Sequence, residues 1–533
     1  MRKLPWHCGV IAATLALAAC GGSNSPTSVQ SASTSRGTLI ENPPLRLASL
    51  DAATLQADLS ANATGAQLLQ LVGTPTCGVD VYYFKFWTVG GAGEATESSG
   101  ALMVPTGAVS ACSGPRPIVL YAHGTDTNKA TNLANIADPG NTEGALIAAT
   151  FAAQGYIVVA PNYAGYDIST LGYHPYLNAT QQSDEMIDAL AAARTALPNT
   201  LSSATSDDGK LFVTGYSQGG YVAMATERAL LAAGATVTAA APMSGPYALE
   251  AFGDAIFFGH VDLGATVFAP LLTTSYQHEY GDIYTATTDV YSPTYANGID
   301  TLLPSTTPIS TIFADNLLPE TALFDSTTPT VTIPNDPALS QELTAALAVP
   351  SDPTNPDTPL FDLGFGTSYL ITNAYRVSYA LDAAADPDGA VPTPSPGVPL
   401  AASPPQQTLR KAFYLNDMRY GGWAPTAPTL MCGGGQDPTV FFSVNTGTMQ
   451  AFWSATPAAP LISVLDVNAT PSGPFAPIQQ AFQQSQAAEL AYYESAAGGG
   501  YTPAQAQQLL VEGYHSAVAP FCSLAARSFF SQF

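Results

Sequence analysis

Residues 210–220 constrain the fold of this chain more than any other stretch, because they combine a buried strand, a sharp turn and the start of a helix. Residues 211–213 are apolar and predict a buried strand, and residues 221–233 have helical spacing. Between them, Gly-Tyr-Ser-Gln-Gly at residues 215–219 matches G-x-S-x-G, which requires this strand–turn–helix context. We expect Ser217 at the apex of the turn, where the free N–H groups of a helix N-terminus suit a developing oxyanion.

A motif this short also arises by chance. Glycine makes up 45 of the 533 residues, so about 0.3 accidental matches are expected in the chain. The alternative interpretation is a surface turn in a glycine-rich protein. The flanking strand and helix favour a nucleophile, and this hypothesis requires a base, an acid and an oxyanion donor elsewhere in the chain.

The segments around Ser217 predict an α/β fold with a mostly parallel sheet. A helical lead-in at residues 47–72 and a β-hairpin with strands at 81–89 and 97–104 come first. Near-continuous apolar strands then alternate with helical patterns, which is typical of a parallel sheet covered on both faces. The predicted strands are 117–121, 156–160, 211–213 and 236–241, and the predicted helices are 145–154, 183–197 and 221–233.

Residues 250–424 break this alternation and are rich in Pro, Thr, Asp and aromatic residues. They carry short helical patterns at 337–348 and 368–386 and a Pro-rich loop at 387–405. A separate C-terminal domain is the alternative, but predicted strands resume at 429–432 and 461–466. We therefore expect a cap or lid at 250–424, inserted into an α/β core formed by 46–249 and 425–533.

A base and an acid can be assigned in the second part of the core. Asp437 follows the predicted strand at 429–432 through a glycine turn, and His515 follows a helix with a Thr502 N-cap. Gly513 is expected to end that helix, which would place His515 on a loop. The order Ser217, Asp437, His515 is that of α/β-hydrolases. The alternatives are a packing or surface role for His515 and a helix cap for Asp437.

Two oxyanion donors are expected beside Ser217. One is the N–H of Gln218, and the other is the N–H of Thr125, in the loop after the strand at 117–121. His123 is expected to shape that loop and not to act as the base. His174 is expected to be structural or to lie on the rim of the pocket.

The N-terminus indicates export. Arg2 and Lys3 precede an apolar stretch at 10–19 that is too short for a lasting membrane span, and Leu-Ala-Ala leads into Cys20. This resembles a bacterial lipoprotein signal, with residues 1–19 removed, Cys20 lipidated and 20–45 serving as a flexible tether. The alternative is an ordinary secretory peptide. Either predicts an extracytoplasmic protein, and the lipid anchor predicts attachment to the outer membrane or cell surface.

Four cysteines remain in the mature chain, which in an oxidising compartment suggests two disulfides. Three pairings are possible. We favour Cys77–Cys112, which would close the open end of the hairpin. We also favour Cys432–Cys522, which would tie the loop of Asp437 to that of His515.

The charge of the chain limits its partners. Forty acidic against fifteen basic residues give a net charge of −25, which disfavours nucleic acid because neutralising phosphates needs Lys and Arg. An uncharged substrate suits this surface better than an anionic one. No cofactor or metal is implied, since the mature cysteines are expected to pair and no His and carboxylate cluster has ligand spacing. The oligomeric state stays open.

Five motifs together resemble the secretory lipase family of α/β-hydrolases, over roughly residues 70–250 and 425–525. They are His-Gly-Thr at 123–125, Pro-Asn-Tyr-Ala-Gly at 161–165, Gly-Tyr-His-Pro-Tyr at 172–176, Gly-Tyr-Ser-Gln-Gly-Gly at 215–220 and Gly-Gly-Gln-Asp-Pro at 434–438. The resemblance implies an α/β-hydrolase fold, a Ser217–Asp437–His515 triad, ester hydrolysis and a lid inserted before the acid. It leaves acyl-chain preference open.

The predicted function is therefore carboxylic ester hydrolysis, with lipids among the candidate substrates. A serine peptidase on the same fold and a non-catalytic surface-binding lipoprotein are the alternatives. Aromatic residues of the cap are candidates for the pocket wall, although each taken singly fits the core of the cap as well. They are Phe252, Phe257, Phe258 and Phe268.

Overall fold

The computed structural model describes residues 35–352, 354–355, 357–385, 400 and 403–533. The predicted signal peptide, Cys20 and most of the Pro-rich loop at 387–405 lie outside these residues. The strands are Leu45–Leu50 (β1), Gly78–Val89 (β2), Ala95–Thr106 (β3), Gly114–Ala122 (β4), Ile157–Pro161 (β5), Thr205–Tyr216 (β6), Ala239–Met243 (β7), Phe324–Asp325 (β8), Phe365–Gly366 (β9), Thr429–Gly433 (β10) and Ile462–Asp466 (β11).

Nine of these strands form one sheet in the order β1-β2-β3-β5-β4-β6-β7-β10-β11, and β8 pairs with β9 apart from it. From β5 to β11 the neighbouring strands of this sheet are parallel, whereas β1, β2 and β3 pair antiparallel. In the centre, Val119 of β4 is paired with Val158 of β5 and Phe212 of β6. All three side chains are buried, as expected where helices cover both faces. The predicted mostly parallel sheet is confirmed.

Helices pack on both faces of the sheet. Alternate residues of the strands point to opposite sides, so Leu120 joins one apolar cluster with Met186 and Val222, and Val119 joins the other with Val518. The helices are Ala52–Ser60 (α1), Ala63–Val72 (α2), Thr142–Thr150 (α3), Ala179–Ala196 (α4), Gln218–Ala232 (α5), Leu249–Phe257 (α6), Ala265–Tyr280 (α7), Ile309–Ala314 (α8), Pro337–Ala346 (α9), Thr358–Asp362 (α10), Asn373–Ala385 (α11), Thr408–Asn416 (α12), Thr448–Ser454 (α13), Ala476–Glu494 (α14) and Pro503–Phe530 (α15).

The long segment between β7 and β10 leaves the sheet and returns to it at one place. β7 and β10 are parallel neighbours, with Met243 opposite Cys432, so the segment is spatially an insertion between adjacent strands. It carries α6 to α12, and the sequence placed the cap in the same region, at 250–424. A buried ion pair from Arg410 to Asp254, 2.8 Å, joins α12 to α6. The described residues form one compact unit, so the insertion packs on the core and does not stand apart.

The N-terminal part of the described chain is more ordered than the sequence indicated. Residues 45–50 form an edge strand, β1, ahead of the helices in the predicted lead-in at 47–72. Within the predicted tether, Gly37 N–H donates to the carbonyl of Trp87 (2.8 Å) and Ile40 N–H donates to that of Lys85 (2.9 Å). These bonds satisfy backbone groups of β2 that would otherwise face solvent, which is why this segment follows the sheet.

Candidate active site

Ser217 occupies the turn between β6 and α5 in a strained conformation. Its φ is +59° and its ψ is −122°, a region that L-residues rarely adopt outside special sites. The turn leaves no room for a side chain at Gly215 or at Gly219. A Cβ on Gly215 would lie 2.3 Å from the carbonyl oxygen of Gly219, and one on Gly219 would lie 1.9 Å from that of Ala122. The glycines of the motif are therefore required sterically.

Asp437 lies directly after β10 and is almost completely buried, with 4% of its surface exposed. Its Oδ1 accepts hydrogen bonds from the N–H groups of Thr439 (2.9 Å) and Val440 (3.1 Å). Its Oδ2 lies 2.6 Å from Nδ1 of His515. One oxygen thus fixes the carboxylate to the following turn, and the other accepts the Nδ1 proton of the imidazole, which leaves Nε2 as the ring acceptor.

The sequence predicted that His515 lies on a loop. The structure places it inside α15 instead. The predicted N-terminus of this helix is present: Thr502 accepts from Gln505 N–H, and Gln505 reciprocates in a capping box. The helix continues past Gly513 because the residues beyond it are buried against the sheet, among them Tyr514 and Val518. Their burial outweighs the roughly 1 kcal/mol that glycine costs in a helix.

The imidazole of His515 is not hydrogen bonded to Ser217. Its Nε2 is buried and has no hydrogen-bond partner among the described residues. The phenol of Tyr216, next to Ser217, donates to the backbone carbonyl of His515, and the two rings lie 5.0 Å apart. The structure therefore brings Ser217, Asp437 and His515 to one end of the sheet, with the Ser217–His515 contact open. Bonds of this kind often tighten only when substrate binds.

The loop that carries Thr125 is held by a partly buried carboxylate that the sequence reasoning missed. Glu143, in the first turn of α3, accepts hydrogen bonds from Gly124 N–H (3.1 Å) and from the phenol of Tyr121 (2.7 Å). The Thr125 hydroxyl is bonded to Tyr176 (2.7 Å). Burial raises the pKa of Glu143. A Cβ built on Gly124 would lie 3.7 Å from Cβ of Ser217, so this loop approaches the nucleophile closely.

His123 and His174 are both buried and held by backbone groups. The His123 ring nitrogens lie 2.7 Å from the carbonyl oxygen of Gly124 and 3.2 Å from that of Asn162. His174 Nδ1 lies 2.8 Å from the Ala164 carbonyl, and its Nε2 lies 2.6 Å from the side-chain nitrogen of Gln218. Burial lowers the pKa of His174 to about 3, so the neutral ring accepts from Gln218. His174 thus holds the residue that follows the nucleophile.

A cavity with mainly apolar walls opens beside Ser217, lined by the insertion and by the core. Phe252, Phe257 and Phe268 line it, whereas Phe258 packs in the apolar cluster on that face of the sheet. The polar residues in its wall, besides the nucleophile, are Tyr176, Gln218, Asp262, Thr273 and Thr439. The cavity suits an apolar group with few polar positions.

The described residues contain two disulfides, and both are the pairings favoured from the sequence. Cys77–Cys112 links the start of β2 to the segment before β4, and Cys432–Cys522 links β10 to α15. The second bridge joins the strand that leads to Asp437 with the helix that carries His515. In the described part of the chain, no three or more His, Cys, Asp or Glu residues are grouped to hold a metal ion. None of the described helices is both long enough and apolar enough to cross a membrane.

Several solved structures are similar to this chain over most of its length. A ligand-bound form of LipA, a rice cell wall degrading esterase from Xanthomonas oryzae, is 22% identical, with 94% of this chain and 100% of that chain covered and a TM-score of 0.63. Another LipA structure is 24% identical, with 81% and 91% covered and a TM-score of 0.59. A protein from Legionella pneumophila is 19% identical, with 93% and 97% covered and a TM-score of 0.54.

Comparison of the sequence with protein-family models and with curated proteins finds no match. The similarity of this chain to known proteins is therefore structural, and at sequence identities below 25% it shows the fold alone. This chain therefore has the α/β-hydrolase fold. The fold is shown by the order of the strands, the insertion between β7 and β10 and the similarity to these structures.

Proposed function

We propose that this chain is a carboxylic ester hydrolase that works through a Ser217–His515–Asp437 triad and an acyl-enzyme. The observation that carries the proposal is the 2.6 Å contact between His515 and a buried, doubly hydrogen-bonded Asp437, at the sheet end where the strained Ser217 faces an apolar cavity. Such strain persists where the surrounding structure enforces it, and it concentrates at catalytic sites.

In the proposed mechanism, Ser217 Oγ attacks the ester carbonyl carbon while Nε2 of His515 takes the hydroxyl proton. Asp437 accepts the Nδ1–H bond and stabilises the imidazolium. When the tetrahedral intermediate collapses, the bond to the alcohol oxygen breaks, and His515 gives its proton to that oxygen. Water, deprotonated by His515, then attacks the acyl-enzyme and releases the carboxylic acid with Ser217 restored.

The oxyanion is proposed to bind to the N–H groups of Gln218 and Thr125. The first N–H groups of a helix have no partner within the helix, which supports Gln218 at the start of α5. The Gly124–Glu143 bonds support Thr125, because they hold the adjacent loop close to Ser217. Donors fixed before the reaction stabilise charge without reorganising, which is the main source of rate in such sites.

The apolar walls of the cavity support an uncharged ester, lipids included, as substrate. LipA, which shares the fold, is a rice cell wall degrading esterase. An esterase is preferred to a peptidase on these two grounds, although the triad chemistry of the two classes is the same.

The test compares p-nitrophenyl esters of two- to sixteen-carbon acids with peptide p-nitroanilides, using the full chain and Ser217→Ala. We expect ester cleavage that falls at least 10⁴-fold in Ser217→Ala, together with labelling of Ser217 by a fluorophosphonate. Cleavage of anilides in preference to esters would assign a peptidase. A folded protein that neither cleaves esters nor reacts with the fluorophosphonate would support a non-catalytic surface protein.

We also propose that the mature protein is extracytoplasmic and anchored by a lipid on Cys20, with 250–424 acting as a cap over the core. The signal pattern supports the anchor, and two disulfides suit an oxidising compartment. Mass spectrometry of the mature N-terminus tests the proposed lipid anchor. Acyl groups on Cys20 are expected, and their loss in Cys20→Ala should release the protein from the membrane fraction. An unmodified N-terminus cut elsewhere would show an ordinary secretory peptide.

A further inference from the structure

Asp262 is a buried carboxyl group in the wall of the cavity that Ser217 lines. It lies between α6 and α7 of the insertion, and 4% of its surface is exposed. Neither of its carboxyl oxygens has a hydrogen-bond partner among the described residues. Other buried acids of the insertion are paired: Asp254 binds Arg410, and Asp417 binds Arg419.

A buried carboxyl without partners destabilises the folded chain, because it loses its hydrogen bonds to water and gains none in return. The fold does not depend on this side chain to hold its segment. The neighbouring backbone is fixed independently, since Leu263 N–H donates to the Pro438 carbonyl (3.0 Å) and Ala265 N–H donates to the Asp262 carbonyl (3.3 Å). An unpaired buried polar group in a folded protein requires an explanation, and a functional role is one that the cavity beside Ser217 supplies.

The surroundings of Asp262 favour its neutral form. Burial, together with the nearby charge of Asp437, raises the pKa of the Asp262 carboxyl well above its usual value. A neutral carboxylic acid offers one O–H donor and one carbonyl acceptor. It can therefore bind a hydroxyl, carbonyl or amide group, but it lacks the charge that would hold an ammonium group.

We propose that Asp262 is a specificity-determining residue that forms a hydrogen bond with a hydroxyl or carbonyl group on the substrate chain lying in the cavity. The preferred substrates would then be esters whose otherwise apolar chain carries one polar substituent, such as hydroxyacyl esters. This inference rests on the proposed ester hydrolysis and deepens it by naming a substrate class. Apolar walls bind the hydrocarbon, and the single acid selects the substituent.

The kinetic test compares p-nitrophenyl octanoate with its positional hydroxy- and oxo-octanoate isomers, and octyl octanoate with octanoate monoesters of octanediols. The wild-type protein should prefer at least one substituted ester by about tenfold or more in kcat/KM, because an unsubstituted chain leaves the acid unpaired. Asp262→Asn, which keeps a donor and an acceptor, should retain most of the preference. Asp262→Leu, which is similar in size and has neither, should bring the ratio close to one, whereas the exposed Glu342→Gln should not change it.

A binding test does not depend on turnover. Ser217→Ala protein should bind the preferred methyl hydroxy- or oxo-octanoate more tightly than methyl octanoate by calorimetry, and adding Asp262→Leu should abolish the difference. If wild-type protein cleaves esters but shows no such preference, the role of Asp262 is wrong and the esterase stands. If no ester is cleaved, the proposed function is wrong, and the binding difference alone decides whether the cavity selects a polar group.

Two further results would overturn the proposal. A preference for amino-octanoate over hydroxy-octanoate esters would show that Asp262 acts as a charged carboxylate. A lower thermal midpoint in Asp262→Leu with an unchanged ester ratio would give Asp262 a structural role. We expect instead that Asp262→Leu raises the midpoint, since it removes an unpaired buried polar group.

Discussion

At the scale of single residues, the candidate site depends on carboxylates that each bind two separate parts of the structure. Asp437 holds the backbone with Oδ1 and faces His515 with Oδ2. Glu143 binds both a phenol and the loop of Thr125. The sequence motifs led to Asp437, but no motif marks Glu143, because its position near Gly124 exists only after the chain folds. An acidic residue in the first turn of α3 was the one local signal.

Asp437→Asn should lower kcat by about 10⁴-fold with little change in stability. The amide keeps the size of the side chain and an acceptor for Thr439 and Val440 N–H, but it places an NH₂ group against Nδ1 of His515. The imidazole is then driven to the wrong tautomer. Steady-state kinetics and circular dichroism check this prediction, and a loss below tenfold in a folded variant would remove Asp437 from the proposed triad.

Glu143→Leu should lower kcat by about ten- to a hundredfold with a smaller effect on KM, because the loop that supplies the Thr125 N–H loses its anchor. Glu143→Gln is the matched control, since its amide oxygen can still accept from Tyr121 and Gly124, and it should retain most of the activity. Equal losses in the two variants, or a loss confined to KM, would contradict a role in positioning the oxyanion loop.

At the scale of secondary-structure elements, α15 shows how tertiary contacts override a local stop signal. Its capped N-terminus was evident from Thr502, Pro503 and Gln505. Its continuation through Gly513 to Phe530 was not, because the apolar residues beyond the glycine acquire their partners only in the folded protein. The helix holds His515 rigidly, and the Cys432–Cys522 bridge ties it to the strand that leads to Asp437.

Gly513→Ala should stabilise the protein by about 0.5–1 kcal/mol, because Gly513 lies inside a helix and an added Cβ meets nothing within 4 Å. Gly281→Ala is the matched control. Gly281 also has open space around it, but it ends α7 with φ +73°, so alanine there should destabilise by about 1–2 kcal/mol. Urea unfolding measures both, and destabilisation by Gly513→Ala would indicate a helix end at that glycine.

Replacing Cys432 and Cys522 together by alanine should lower the free energy of unfolding by about 2–4 kcal/mol and also reduce kcat. Replacing Cys77 and Cys112 should cost a similar or somewhat smaller free energy, since that bridge closes 35 residues and the other closes 90. The Cys77 and Cys112 double variant should leave kcat unchanged, because this bridge lies away from the triad. Denaturant titration and single-turnover kinetics separate the two effects, and equal kcat losses would argue against a link between the bridge and catalysis.

At the scale of the whole molecule, both the insertion and the core contain buried polar groups. Within the insertion, Arg410 of α12 pairs with Asp254 of α6. Within the core, Glu227 of α5 is buried against β10, and among the described residues its carboxyl is bonded to Thr429 alone (2.9 Å). Such groups make the stability of the whole fold depend on pH. A net charge of −25 adds repulsion between acidic groups at neutral pH.

Burial raises the pKa of Glu227 to about 8, above the value near 4.3 expected in the unfolded chain. Between these values the folded protein binds a proton that the unfolded chain has released, so the stability that Glu227 contributes falls as pH rises. The limit is about 1.4 kcal/mol per pH unit, and the fall ends above about pH 8.

Glu227→Gln should therefore raise the thermal midpoint relative to wild type, and by more at pH 8 than at pH 5. The exposed Glu342→Gln should show no such trend. Calorimetric scans at several pH values provide the measurement. A difference between Glu227→Gln and wild type that does not change with pH would show that Glu227 is not protonated in the folded chain.

The sequence by itself determined the elements whose signals are local. Nearest-neighbour sterics and hydrophobic periodicity account for four such features. They are the strand, turn and helix around Ser217, the hairpin of β2 and β3, the alternation typical of a parallel sheet, and the capped start of α15. The position of the insertion followed from the break in that periodicity. The cysteine pairs followed from what each bridge would close.

Only the tertiary structure decided where α15 ends, that residues 37–40 follow β2, that Glu143 holds the loop of Thr125, and that Asp262 lines the cavity unpaired. Each of these depends on contacts between segments far apart in the chain. The energy of such contacts comes from burial and from hydrogen bonds that form only after packing, so no short window of sequence can carry it.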